Sequence, residues 1–218
     1  MEYVKHLGFP VTESSGHCSE YTPWWRKRPE YIEKYCPAHL PWNGKSGLIK
    51  EVYARPDWKN QMERMASGEE PIKLERSHEY GSQIINACEG GSPVVIHGNV
   101  ENSGLIDNLP QGCCVEVPIY VDGNGLQPIK VGKLPTHLAA INRSQVSVQE
   151  LAVEAALSAD PEIVFQAFAM DPLTAAVLTL DEIRALTAEL LEALRFCLPA
   201  FEGKALAAKP RLVDRVSQ

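Results

Sequence analysis

Residues 94–125 read VVIHGNVENSGLIDNLPQGCCVEVPIYVDGNG, and this stretch decides the fold. Val94, Val95 and Ile96 form a short β-branched run bounded by Gly91 and Gly98, which predicts a strand. Cys114 to Val121 predicts a second strand, apolar but for Glu116, a carboxylate that would need a partner if it were buried. Pro118 cannot donate to a ladder, so an edge position or a bulge is expected there. The DGNG at 122–125 has the composition of a turn. Between the two strands lies a loop rich in Asn and Gly.

Outward from this stretch, helical signals dominate. Residues 1–8 read as the end of a helix stopped near Gly8, with Pro10 beyond. A short helix is expected from Pro29 to Tyr35 and loop from Pro37 to Leu48. Further helices are expected from about Arg55 to Ala66 and from Ser77, as N-cap, to Gly90-Gly91. Leu138 to Ser158 carries apolar residues at helical spacing. Asp160-Pro161 opens another helix, and Thr179-Leu-Asp-Glu182 has the form of a capping box. The reading is α+β, a small mixed or antiparallel sheet packed by several helices, over residues 1–203. A loose basic tail is expected at 204–218.

A net charge of −7 over 218 residues gives no basic footprint for nucleic acid. MEYVKHLGFP lacks the apolar core of an export signal, and no stretch has the length and apolarity of a membrane span. A cytoplasmic setting is therefore expected, and dispersed reduced thiols rather than disulfides. No CxxC pair occurs among the six cysteines, so no structural zinc is expected.

Two clusters carry candidate chemistry. Thr12-Glu-Ser-Ser-Gly-His-Cys-Ser-Glu-Tyr-Thr-Pro-Trp-Trp-Arg26 gathers two carboxylates, an imidazole, a phenol, two indoles and a guanidinium. Sugar sites use such a set, since polar groups pair with hydroxyls and indole faces cover the apolar face of a pyranose. The plainer reading is an aromatic corner of the core with polar residues at the surface. The second cluster is Asn99, Glu101, Asn102, Asp107 and Asn108, where amides either meet a ligand or merely build turns. His78-Glu79 and the Cys113-Cys114 pair are weaker signals; the cysteines read as small packing residues.

HCSEYTPWWRK at 17–27, SHEYGSQIINAC at 77–88, the run from Gly98 to Leu157 and MDPLTAAVLTLDEI at 170–183 resemble, in sequence and order, family 4 glycoside hydrolases. The resemblance spans about 1–195 and leans towards the α-galactosidase branch. α-Galacturonidases and α-glucuronidases share a similar segment. It implies the C-terminal domain of a lactate/malate dehydrogenase-like glycosidase, using NAD and Mn²⁺. In such enzymes NAD⁺ takes a hydride from C3 of the sugar, the metal polarises the C2 and C3 oxygens, and a base removes the C2 proton before elimination. Some members use a Tyr as that base in the region matching Thr12–His17. That stretch holds no Tyr here, so Glu13, His17 and Tyr21 are the catalytic candidates. Glu20, Trp24, Arg26, Asn99, Asn102 and Asn108 are the substrate-binding candidates, with the Asn-rich loop facing the Thr12–Trp25 segment across the pocket.

The sequence departs from the family in carrying no GxGxxG turn for a pyrophosphate, and neither His17 nor Cys18 matches the family's metal-binding positions. The cofactor-binding elements are thus mostly missing from the chain. It reads as a half-enzyme, inactive and unable to bind NAD⁺ alone, whose partners are an α-galactoside-like sugar and either copies of itself or a separate N-terminal half. The alternatives are an inactive remnant or assembly module, or half of an α-galacturonidase or α-glucuronidase.

Overall fold

A computed structural model describes residues 2–11, 15–35, 57–72 and 79–207, the side chains of 15–17 excepted. The chain divides into two compact units, Met1–Gly44 with Ala140–Gln218, and Lys45–Ala139.

The second unit holds the sheet. Strands β1 (Val94–Glu101), β2 (Cys114–Asp122) and β3 (Gly125–Pro128) form an antiparallel sheet in the order β1-β2-β3. Register runs from Val94 opposite Val121 to Glu101 opposite Cys114. Side chains alternate across a strand, so Val115, Val117, Ile119 and Val121 share the buried face with Ile96, and Ala87 of helix α5 (Gly81–Cys88) packs on it. A Cβ at Gly98 would lie 2.8 Å from Ile119 Cδ1, so a larger residue there would displace the end of the Ile119 side chain. The DGNG turn closes a hairpin in which Gly125 takes a positive φ of 93° and Asp122 Oδ1 accepts from Asn124 N–H at 2.8 Å. That hairpin creates β3, which composition alone did not reveal. Helix α4 (Trp58–Ser67) belongs to the same unit.

Two expectations for the sheet are corrected. Glu116 is exposed on the open face, opposite Asn99, and needs no buried partner. Pro118 lies in the central strand rather than at an edge or bulge. Its carbonyl accepts from Ile129 N–H, so its backbone faces the β3 side just past Pro128, where β3 ends and a missing donor is cheap. On the other side, the Tyr80 hydroxyl donates to the His97 carbonyl of β1 at 2.8 Å. Helix α5 begins at Gly81 with Tyr80 in the N-cap position; Ser77 and His78 lie outside the described residues.

The first unit is helical. Helices α1 (Glu2–Leu7), α2 (Ser15–Glu20) and α3 (Pro29–Tyr35) come from the N-terminal stretch. Helix α6 (Thr136–Ser158) enters from the sheet unit, followed by α7 (Pro161–Met170), α8 (Pro172–Val177) and α9 (Leu180–Ala193). Asp160 caps α7 with Pro161 at its start, and Thr179 with Glu182 forms the full capping box of α9. The short α8, capped by Asp171 before Pro172, was not anticipated. Glu162 and Arg184 join α7 to α9 through two 3.0 Å bonds, with Arg184 lying over Phe165. Of the tail, Lys204 Nζ donates to the Ala159 carbonyl at 3.0 Å and Ala207 N–H to Glu162 at 2.9 Å; residues from 208 onward lie outside the described part.

Candidate functional site

The N-terminal segment is organised by a directed chain of hydrogen bonds. Trp25 Nε1 donates to the Tyr3 oxygen at 3.3 Å, Tyr3 donates to Thr22 Oγ1 at 3.1 Å, and Thr22 donates to the Cys18 carbonyl at 3.1 Å. Each hydroxyl both accepts and donates, which fixes the direction of the chain. Burial, reinforced by Cys18, pushes the Tyr3 phenol above its ordinary range, so it stays protonated and donating. Ring contacts extend the same frame. Trp25 meets Tyr35 edge-on at 4.9 Å, and Trp24 meets Tyr3 at 6.0 Å in the same manner.

This frame opens a cleft of about 560 Å³ in the helical unit. Its walls are Tyr3, Trp24, Trp25, Tyr31 and Tyr35, with Leu7 between them. Lys27, Lys34, His6 and Glu2 supply its charged margin. Volume and lining suit a small ligand with an apolar face and polar edges.

The sequence-derived residues divide around this cleft. Trp24 lines it, with 38% of its surface exposed. Glu20 and Arg26 are not among the lining residues and pair with each other at 3.4 Å, while Arg26 Nε donates to the buried Ser19 hydroxyl at 2.7 Å. Tyr21 is exposed outside it, and its carbonyl accepts from Gln145 Nε2 at 2.7 Å. His17 lies in α2, but its side chain, like the whole of Glu13, is outside the described residues. Sequence reasoning missed Tyr3, Lys27, Lys34 and Tyr35. For Tyr3, Lys34 and Tyr35 the signal was available in YVKHL and PEYIEKY, whose aromatic and basic residues recur at helical spacing, while Lys27 closes the HCSEYTPWWRK run.

The Asn-rich loop belongs to the sheet unit and uses its amides differently. Asn102 is fully buried. Its Nδ2 donates to the carbonyls of Ile106, Leu109 and Pro110 at 3.0, 3.2 and 3.0 Å. Its Oδ1 accepts from Leu105 and Ile106 N–H at 3.1 and 2.9 Å. Two N–H hydrogens are thereby shared among three carbonyls, and the amide has nothing left for a sugar. Asn108 clamps Leu134 from both sides, donating to its carbonyl at 2.8 Å and accepting from its N–H at 2.9 Å. Both residues are loop braces in this structure, a correction to their expected role as amides offered to a ligand. Asn99 is exposed on the open face of β1. Asp107 pairs with Lys130 at 2.8 Å.

Among the described residues no three His, Cys, Asp or Glu side chains converge as a metal-ligand set. The described residues do not fit a resident Mn²⁺.

The architecture is α+β, with a small antiparallel sheet in one unit and helices with an aromatic cleft in the other. Residues 1–174 match the family 4 glycosyl hydrolase C-terminal domain, and the chain belongs to that family. It is similar to an α-galactosidase of Bacillus subtilis (strain 168), 35% identical over 92% of this chain and 46% of the relative. An α-galactosidase of Rhizobium meliloti (strain 1021) is 34% identical over 97% of this chain and 44% of the relative. The chain thus spans under half the length of these two relatives. A solved Bacillus subtilis structure, described as a candidate glucosidase, superposes with a TM-score of 0.66 at 27% identity, covering 80% of this chain and 38% of that one. A 6-phospho-α-glucosidase from gut microorganisms, solved with NAD and Mn²⁺, shares the fold with a TM-score of 0.60 at 20% identity, covering 78% of this chain and 40% of the other.

Proposed function

We propose that this chain is the substrate-binding and assembly part of an NAD- and Mn²⁺-dependent α-glycosidase of the α-galactosidase type, which cleaves O-glycosidic bonds by redox elimination. The observation that carries the reading is the similarity to two α-galactosidases over 92% and 97% of the chain. The aromatic cleft agrees with it, because indole and phenol faces suit the C–H face of a pyranose. Trp24 is its sugar-contacting wall. Tyr21, His17 and Glu13 are kept as candidates for the C2 base, and Glu20, Arg26 and Asn99 as polar contacts at the margin. Asn102 and Asn108 act by holding their loop. NAD and Mn²⁺ are carried over from solved relatives such as the gut 6-phospho-α-glucosidase. Their site in the working enzyme draws on residues other than those described here. Residues 1–203 form the functional domain of a cytoplasmic homo-oligomer or two-part enzyme, with 204–218 as its tail.

The test is turnover of a chromogenic α-galactoside with NAD⁺ and Mn²⁺, by the chain alone and together with the N-terminal part of a family 4 α-galactosidase. Activity is expected only for the combination. An assembled complex that is inert towards α-galactosides would overturn the reading.

A further inference from the structure

The turn between β2 and β3 joins Asn124 to Gly125, a pair with a backbone chemistry of its own. The amide nitrogen of the following residue can attack an asparagine side chain at Cγ, and a following glycine, lacking a Cβ, leaves that approach open. Asn124 is exposed, and a Cβ built on Gly125 would meet nothing within 4 Å. Asp122 organises the turn. Its Oδ1 accepts from Asn124 N–H and from Gln127 Nε2, both at 2.8 Å, while its Oδ2 accepts from Asn124 Nδ2 at 3.4 Å. The side-chain amide of Asn124 is therefore held by a single long bond among the described residues. Asp122 and Gly125 form the last rung of the β2–β3 ladder, the rung whose local opening costs least. Asn102 is its opposite, fully buried with Nδ2 bonded to three carbonyls.

We propose that Asn124 is a site of spontaneous modification in the folded protein, through a succinimide formed with Gly125. Gly125 N bonds to Asn124 Cγ, the Cγ–Nδ2 bond breaks, and Nδ2 leaves as ammonia with the proton that Gly125 N has lost. Water then opens the ring at either carbonyl, leaving aspartate or isoaspartate at position 124. No oxidant or reductant is consumed. Both products place a new carboxylate beside Asp122. Isoaspartate also routes the main chain through the side-chain carbon, so the turn gains a methylene and Gly125 no longer falls opposite Asp122. The register that pairs Tyr120 with Gln127 and Val121 with Leu126 is then weakened, and with it the hairpin that creates β3.

The experiment ages the folded chain in mildly alkaline buffer beside a synthetic peptide of residues 118–129, until that peptide has converted. Peptide mapping reads the loss of each amide as a gain of about one dalton, and electron-transfer fragmentation separates aspartate from isoaspartate. The other Asn-Gly pair, Asn43-Gly44, lies outside the described residues and is scored separately. Asn124 is expected to convert at least about tenfold faster than Asn102 and Asn108, with isoaspartate among the products. Asn124→Gln should abolish the gain at this position and leave circular dichroism unchanged, the side chain being exposed. An Asn124 that keeps its amide after the peptide has converted, or that converts no faster than Asn102 and Asn108, overturns the inference, since the hairpin then shields the bond.

Discussion

The two polar clusters of this chain, one of amides and carboxylates and one of aromatic and charged groups, have opposite structural fates. The 99–112 loop turns its amides inward. Asn102 braces five backbone groups and Asn108 two more, so the polarity of the loop is spent on its own conformation. The 18–35 segment spends only some of its polar groups internally, in the Trp25–Tyr3–Thr22 chain, and leaves indole faces and ammonium groups exposed around a cleft. Residue type alone does not mark a binding residue, since the amides of Asn102 and Asn108 build their own loop. What marks one is whether hydrogen-bonding capacity remains after the local backbone has been satisfied.

The sharpest way to break this contrast is Asn102→Ala. It should destabilise the protein by about 3–5 kcal/mol, because buried carbonyls and N–H groups lose their partner together. Denaturant unfolding measures this, and a loss below about 1 kcal/mol would mean that the loop stands without its brace. Asn108→Ala should follow at about 1–2 kcal/mol, two partly buried bonds being lost, with any fall in turnover arising from a loosened loop. Asn108→Asp keeps the acceptor for Leu134 N–H but loses the donor to its carbonyl, and should fall between the wild type and the Ala variant.

On the other side of the comparison, Trp24→Ala should cost only about 1 kcal/mol in stability, as the ring is partly exposed, yet remove most of the sugar response in calorimetry. A large stability loss with binding unchanged would place Trp24 among the building residues. The smallest expected effect concerns Tyr3. Its phenol titrates higher in the folded than in the unfolded chain, so its contribution is fully present below the ordinary tyrosine range and is lost as pH rises through the elevated folded value. Stability should fall in that alkaline window, and Tyr3→Phe should flatten the fall. Thermal melts across the window, compared between the two proteins, check it.

These contrasts explain which parts of the molecule were legible in the sequence. Local signals were read correctly where their physics is local. Asp160-Pro161 and the Thr179–Glu182 box cap helices as their spacing requires, and Pro29–Tyr35 is helical throughout. Strand identity was legible from β-branched runs, but β1 extends to Glu101 because its pairing with β2 carries it past Gly98. The exposure of Glu116 follows from its alternation with Val115, Val117, Ile119 and Val121, a pattern already present in the sequence. The site was legible only in part. The segment rich in sugar-binding residue types was visible, and Trp24 reaches the cleft. The division that leaves Glu20 and Arg26 paired outside its lining comes from tertiary geometry that no spacing encodes.

The Tyr80–His97 contact bears on colloidal behaviour. An outer strand with unpaired backbone groups is a template on which a second chain can crystallise into an extended ribbon, and β1 occupies that position among the described strands. By seating its hydroxyl on the His97 carbonyl, Tyr80 acts as a stopper, and an incoming strand must first dislodge a phenol before it can pair there. A single side chain projecting from the start of the neighbouring helix thus occupies one backbone acceptor that the edge would otherwise offer to a second chain.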